Sequence, residues 1–236
     1  MKEKIEMKKL LFILCMFAMS GIFASNRVTV LGNHVQTFSK YGVKSQTFYQ
    51  KNAFTDAELD KFCYAISRSK LFISAGYSTS LNSFFASAKG KATMDKFLDN
   101  GGVFYLWIPS WTWVKNAPKE LYKYFAGKNI ALPAGYGGAG AKKFFQCKIT
   151  DEFTNSWATS PNASYPLTSA GCNNLKPAKG WKTILTADNG KPVCMIFTVP
   201  EGKGTIIVNY SAMLFDKKAA PFFENLVKFA CFSGKK

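Results

Sequence analysis

The sequence is poor in the residues that most often hold metals or carry out catalysis. Its 236 residues include one histidine, His34, and only 14 acidic residues against 31 basic ones. No two of its six cysteines have the spacing of a zinc site, and one imidazole cannot supply the missing ligands. No pair of carboxylates stands out for glycosidase chemistry either. We therefore predict no metal ion and no other cofactor.

The sequence has one long apolar run, and it lies close to the N-terminus. Four lysines stand within residues 2–9, the apolar run follows at residues 10–18, and small residues lead to Ala24 and Ser25. This order is typical of a secretory signal peptide, residues 1–24, with cleavage after Ala24. A membrane anchor is the alternative, but the run is shorter than the roughly 20 residues that span a bilayer. We expect an exported protein, periplasmic or secreted, with residues 25–236 forming a single domain and no transmembrane segment.

The charge of the chain is strongly positive, at +17, and mostly due to lysine. Loss of the signal peptide would leave about +15. The lysines are scattered over predicted helices and turns and lack the arginine and aromatic residues that alternate in nucleic-acid grooves, so no specific nucleic acid is expected as a partner. A solvated surface is the simpler interpretation. An anionic surface or polymer, such as a glycan, lipid headgroups or a cell wall, is the alternative partner.

Five cysteines remain after the expected cleavage. Cys147 and Cys172 bracket a loop-rich segment and are the first choice for a disulfide in an oxidising compartment. Cys63, Cys194 and Cys231 fall on apolar faces and are predicted to be small core residues. The odd count leaves at least one free thiol.

One stretch in the middle of the chain predicts how the fold is built. A helical pattern through Phe97 ends at Gly101-Gly102, and an unbroken apolar run, residues 103–108, follows. This run is too short for a helix and is typical of a strand buried on both faces of a parallel sheet. Ligands of open α/β sheets bind beyond the carboxyl ends of such strands. Residues 108–111 are therefore expected at the site.

Strands and helices alternate on both sides of this stretch. Strands are predicted at residues 27–32, 43–49 and 71–75, and a helix after Thr55, whose capping box is completed by Glu58. Residues 77–80 read as a polar loop facing the same crevice as Ser110. Further helices are predicted at about residues 91–99 and 117–125. Such alternation implies a parallel sheet with right-handed crossovers.

The pattern changes in the second half of the chain. Residues 130–181 are rich in Gly, Ala, Pro, Ser and Asn, with one predicted strand at 144–149, and so long a loop-rich stretch is usually functional. Residues 135–140 match G-x-G-x-x-G but follow no strand and open no helix, so a dinucleotide site is not predicted. An antiparallel hairpin, residues 183–199 with a turn at Asp188-Asn189-Gly190, then precedes a buried strand at 205–209 and a closing helix at 222–232.

This order of elements resembles the class I glutamine amidotransferase-like, flavodoxin-like fold. The run Gly101-Gly102-Val103-Phe104-Tyr105-Leu106-Trp107-Ile108 resembles the segment that leads to the nucleophile in the N-terminal domain of biotin-protein ligases and in ThuA-like proteins. The resemblance covers most of residues 27–232. It implies an α/β fold of three layers, with helices on both faces of a mostly parallel sheet, a loop-rich insertion and a C-terminal antiparallel hairpin.

The catalytic residues that the resemblance implies are missing. Catalytic members of the family use a cysteine at a strained strand-to-helix turn and a histidine near the last strand. The turn position here matches Ile108 or Pro109, and residues 211–213 contain no histidine. Neither isoleucine nor proline can replace a thiolate nucleophile. We expect a pseudoenzyme that binds a ligand or a partner.

Two alternatives stay open. Ser110 and His34 could form a nucleophile and base if the carboxyl edge brings them together, which would make the chain a hydrolase or transferase, although His34 is also explained as a polar loop residue. The second alternative is that the chain is an envelope structural or interaction protein that works through its basic surface. For the binding hypothesis, in which the ligand is a carbohydrate or a peptide, the candidate residues are Tyr77, Ser78, Ile108, Pro109, Ser110, Trp111 and Trp113.

Overall fold

A computed structural model of the chain describes residues 27–76, 78–108, 118–133, 144–163, 168–170 and 175–233. The strands are β1 (Arg27–Gly32), β2 (Lys44–Phe48), β3 (Leu71–Ala75), β4 (Val103–Trp107), β5 (Phe144–Gln146), β6 (Lys148–Ile149), β7 (Thr168–Ala170), β8 (Lys182–Thr186), β9 (Pro192–Thr198) and β10 (Thr205–Asn209). The α-helices are α1 (Asp56–Ser67), α2 (Ser78–Ala86), α3 (Ala88–Asp99), α4 (Lys119–Ala126) and α5 (Ala220–Phe232). Short 3₁₀ helices include Phe38–Tyr41, Trp157–Thr159 and Ala212–Phe215. The predicted signal peptide lies outside the described residues.

Strand β4 lies in the interior of an eight-stranded sheet. It pairs in parallel with β3 on one side and with β10 on the other, and its residues from Val103 to Leu106 are at most 3% exposed. A strand in this position meets apolar neighbours on both faces, which explains why its sequence does not alternate. The prediction of an interior parallel strand is confirmed.

The sheet is mixed. Its order is β2-β1-β3-β4-β10-β9-β8-β6, in which the first five strands are parallel and β9, β8 and β6 run antiparallel to their neighbours. The predicted hairpin is present as β8 and β9. Because a short turn also joins β9 to β10, these strands must be antiparallel, since a parallel connection needs a crossover. An α/β fold is therefore confirmed.

The sheet separates two apolar clusters. On one face, the rings of Phe62, Phe72, Phe84 and Phe104 pack together, with centroids 4.9–6.3 Å apart, beneath helices α1–α4. On the other face, Phe222 and Phe223 of α5 pack on residues such as Tyr105. Aromatic residues bury a large area each, so these clusters supply much of the hydrophobic stabilisation of the fold.

Local signals place several element ends where the sequence predicts them. Thr55 Oγ1 accepts a hydrogen bond from the Glu58 N–H, and the Glu58 carboxylate accepts one from the Thr55 N–H, which completes the capping box of α1. Between α3 and β4, Gly101 has a φ of +74°, and a Cβ on Gly102 would lie 2.6 Å from the Phe97 ring. A larger residue at either position would strain this turn.

Two predicted elements are wrong. Residues 78–80 are not a polar loop but the first turn of α2, whose Leu81, Phe84 and Phe85 are buried at helical spacing. The single strand predicted at 144–149 is divided at Cys147: β5 pairs with β7 in a separate two-stranded sheet, whereas β6 pairs with β8. Strand pairing depends on distant partners, which a local pattern does not contain. In the described part of the chain, no helix is both long and apolar enough to cross a membrane.

Candidate functional site

The predicted site lies at the carboxyl edge of the parallel strands, and the structure describes only part of it. Tyr77, Pro109, Ser110, Trp111 and Trp113 are outside the described residues, as are residues 134–143, which contain the glycine motif, and residues 164–167 and 171–172. Ser78 and Ile108 are described. Ser78 is half-buried at the start of α2, directly beyond β3, so it does stand at the carboxyl edge, although in a helix.

Ile108 is packed in the core of the protein. Its side chain is 1% exposed and belongs to the apolar cluster beneath helices α1–α4. Its N–H donates a hydrogen bond to the carbonyl oxygen of Asn209, over 2.9 Å. The backbone thus continues the pairing of β4 with β10 for one more residue and keeps the side chain inside. The role of Ile108 as a ligand contact stays a prediction.

The residue before it, Trp107, covers the end of β3. Its indole ring lies against Gly76 and makes an edge contact with the Phe215 ring, with centroids 4.7 Å apart. Its Nε1 is shielded from solvent and has no hydrogen-bond partner among the described residues, and the same holds for the Ser74 hydroxyl of β3. A buried donor without a partner costs free energy, so both atoms would gain from a polar partner at this edge. The sequence analysis did not select either residue.

The position where the resembled family has its histidine is filled by a closed polar cluster. Asn209 Oδ1 accepts hydrogen bonds from the Ser211 N–H (2.6 Å) and from the Ser211 hydroxyl (2.8 Å). Its Nδ2 lies 3.2 Å from the Met213 sulfur. All three residues are buried. Burial also raises the pKa of the neighbouring Tyr105 well above its usual value, so the phenol stays neutral. This cluster holds β10 to the following turn and leaves no base there.

Two loops are tied together across the carboxyl edge. Gln36, which follows β1, donates from Nε2 to the carbonyl oxygens of Met213 (3.2 Å) and Asp216 (2.8 Å), which follow β10. The Val35 N–H donates to the Leu214 carbonyl oxygen over 3.1 Å. Since β3 and β4 separate β1 from β10 in the sheet, these loops span two strands. We call residues 33–37 and 211–216 the loop bridge.

His34 belongs to this loop bridge. Its Nε2 and Thr47 Oγ1 are hydrogen-bonded at 3.1 Å, and its ring packs on Phe38 with centroids 5.3 Å apart. Burial lowers its pKa, an effect that the backbone of Gln36 opposes. The imidazole is therefore neutral at pH 7 and can accept a proton. Ser110 is outside the described residues, so the pairing of His34 with Ser110 stays a prediction.

The cysteines and acidic residues form no metal site in the described ranges, where no three His, Cys, Asp or Glu side chains come together. Cys63, Cys194 and Cys231 are free thiols, at most 9% exposed, as predicted for core residues. Cys147 is also buried, whereas Cys172 is not described, and their disulfide stays a prediction.

Comparison with known proteins supports the fold alone. No protein-family model and no curated protein sequence matches the chain. Among solved structures, the N-terminal domain of mmIFT52 is similar with a TM-score of 0.54 and 14% identity, over 89% of this chain and 99% of that one. The cytoplasmic protein STM3548 from Salmonella typhimurium has a TM-score of 0.55 and 12% identity, over 86% and 98%. A glutamine amidotransferase from Thermotoga maritima reaches only 0.44, with 10% identity over 86% of this chain and 82% of that one, and supports no argument.

Proposed function

We propose that the chain is an exported, amidotransferase-like domain of the cell envelope that has no amidotransferase activity and binds a ligand or partner at its carboxyl edge. Its three layers would be those of the flavodoxin-like fold, extended by the antiparallel strands β9, β8 and β6. The strand order of the parallel half, β2-β1-β3-β4-β10, supports this kinship, since flavodoxin-like sheets have the order 2-1-3-4-5.

The observation that carries the proposal is the replacement of both reactive groups by packed residues. The position of the family's thiol matches Ile108 or Pro109, of which Ile108 is buried, and the position of its imidazole matches residues 211–213, where Ser211 is held by Asn209. Amide hydrolysis through a covalent intermediate needs an activated nucleophile and a base within hydrogen-bond reach. Neither position supplies one.

A binding role is supported by what the loop bridge exposes. Val35 and Phe215 are 41% and 38% exposed, and Trp107 lies beside Phe215 with its shielded Nε1. Aromatic rings combined with a few polar groups are common in binding sites, where rings stack on sugars or apolar side chains and polar atoms orient the ligand. A carbohydrate or a peptide fits these properties.

The experiment compares activity with binding in the same protein. Glutamine hydrolysis should stay at background, whereas screening a glycan array and a peptide array should identify a carbohydrate or a peptide that the protein binds. Phe215→Ser and Val35→Ser should weaken that binding about tenfold or more. Tyr64→Ser removes an aromatic residue at the opposite edge that is even more exposed, at 60%, and serves as the control. Glutamine hydrolysis by the wild type, or equal binding by all variants, would contradict the proposal.

A hydrolase using Ser110 and His34 is the second candidate, favoured by the lowered pKa of His34, which leaves a neutral base at the carboxyl edge. Ester hydrolysis that is lost equally in Ser110→Ala and His34→Gln would support it. A third candidate, binding of anionic polymers through the basic surface, predicts binding that weakens steeply with salt and that no single substitution abolishes.

A further inference from the structure

A polar groove of about 290 Å³ lies at the opposite, amino edge of the sheet, far from the loop bridge. It is formed where β1 and β2 begin and where α1 ends. The lining residues that matter here are Arg27, Thr29, Lys44, Gln46, Tyr64 and Ser69. The groove plays no part in the function proposed above.

The register of the two strands explains why these residues share one groove. Arg27 stands directly opposite Lys44, and Thr29 opposite Gln46, in the parallel pair. Side chains alternate between the faces of a strand, so Arg27 and Thr29 lie on the same face as Leu31, which packs beneath α1. Because the residues on this face are polar here, no apolar side chains fill the space beside α1, and this space is the groove.

The described residues that line the groove carry positive charge and include no carboxylate. None of the ion pairs among the described residues involves Arg27, Lys44 or the neighbouring Arg68. Moreover, Arg27 Nε is shielded from solvent and has no hydrogen-bond partner in the described part of the chain. A bound oxyanion would supply the counter-charge that no described ion pair gives this guanidinium.

Neutral groups complete the groove. The hydroxyls of Thr29 and Ser69 are hydrogen-bonded at 2.7 Å in its wall, and both residues are buried. The Tyr64 ring, 60% exposed, is held by Arg68, whose guanidinium carbon lies 5.2 Å from the ring centroid and which also donates to the Tyr64 hydroxyl. The exposed amide of Gln46 can donate and accept. These groups suit the hydroxyls and apolar face of a small polar molecule.

We propose that this groove binds a small organic anion, of about monosaccharide size, through its phosphate, sulfate or carboxylate group. Arg27 and Lys44 hold the oxyanion, because a guanidinium matches its geometry with two parallel hydrogen bonds and an ammonium adds charge. Tyr64 flanks the rest of the molecule. The volume is near the lower limit for ligand pockets and exceeds the needs of a bare inorganic ion.

Isothermal titration calorimetry of the purified protein with four probes tests the proposal: glucose 6-phosphate, glucuronate, inorganic phosphate and glucose. Binding is expected for the two sugar anions, with inorganic phosphate weaker and competing, and none for glucose. The Arg27→Gln/Lys44→Gln variant should weaken sugar-anion binding at least about tenfold. Lys96→Gln/Lys217→Gln, which removes the same charge from two exposed lysines elsewhere, should bind like the wild type.

A second variant keeps the test decisive if Arg27→Gln perturbs folding. Gln46 is exposed, so Gln46→Glu should fold normally, yet its carboxylate would repel an oxyanion beside Lys44 and abolish binding. The proposal is overturned if neither sugar anion binds, if glucose binds as well as they do, or if the groove variants and the lysine control lose the same affinity. The last result would assign binding to surface charge in general.

Discussion

The indole of Trp107 lies so close to Gly76 that a Cβ atom on Gly76 would stand 2.5 Å from its Cζ3. Gly76 also has a φ of +93°, which L side chains rarely adopt. We predict that Gly76→Ala lowers the free energy of unfolding by about 3 kcal/mol, through backbone strain and overpacking together. Urea unfolding followed by tryptophan fluorescence measures the loss.

Gly42→Ala is the matched control for this substitution. Gly42 has a similar φ of +76°, but nothing lies within 4 Å of a Cβ placed there. Its substitution should therefore cost only the backbone strain, about 1 kcal/mol. Equal losses for the two variants would show that the contact with Trp107 contributes nothing.

Asn225 of α5 joins the segment 158–162 to the core. Its buried Nδ2 donates to the carbonyl oxygens of Ala158 (2.9 Å) and Asn162 (3.0 Å), and its Oδ1 accepts from the Asn162 N–H (3.0 Å). Asn225→Leu should destabilise the protein by about 3 kcal/mol, since several buried polar groups lose their partner at once. Hydrogen exchange should speed up first in residues 157–163.

The exposed turn residue Asn189 provides the comparison. Its Oδ1 accepts one hydrogen bond, from the Lys191 N–H, and solvent can replace it. Asn189→Leu should cost no more than about 1 kcal/mol. If Asn225→Leu lowers the free energy of unfolding by no more than Asn189→Leu does, the buried hydrogen bonds of Asn225 do not hold the segment 158–162 in place.

The single histidine makes the pH dependence of stability simple to assign. Burial lowers the pKa of His34, so the unfolded chain takes up a proton more readily than the folded one. Stability should therefore fall as the pH drops below the ordinary histidine value of about 6.5 and continue to fall to the lower pKa of the folded state. In His34→Gln this decline should vanish between those two values. Denaturant midpoints at a series of pH values measure it, and an unchanged decline would contradict the assignment.

Buried thiols should react slowly in the folded protein. Burial raises the pKa of Cys194 far above its usual value and that of Cys231 to about 12, so little thiolate forms near neutral pH. Alkylation by iodoacetamide, followed by peptide mass spectrometry, should label both residues only after denaturation. Rapid labelling of Cys194, which is 0% exposed, in native buffer would show that the hairpin formed by β8 and β9 opens readily.

Where a structural cause was local, the sequence predicted it well. Thr55 and Glu58 predicted the capped start of α1, Gly101-Gly102 the turn before β4, and Asp188-Asn189-Gly190 the turn of the hairpin, because capping and turn geometry depend on neighbouring residues. The α2 helix was missed because its first turn, Ser78-Thr79-Ser80, consists of residues that also favour loops.

The candidate site was harder to predict than the elements around it. The sequence indicated which residues follow the parallel strands at the carboxyl edge of the sheet, because each of these strands is recognisable from its own residues. It did not show that Ile108 turns into the core, that Trp107 covers β3, or that Gln36 ties two distant loops together. Each of these contacts joins residues that are not neighbours along the chain.

What the sequence alone determined was the class of fold: an alternation of helices and strands around a segment that is buried on both faces of the sheet. These properties follow from residue identity and from periodicities of a few residues. Only the tertiary structure decided that β5 and β6 join different sheets, that a loop bridge closes the carboxyl edge and that Arg27 and Lys44 share a groove at the other edge. Strand order and register are set by contacts between segments far apart in the chain, and no local pattern encodes them.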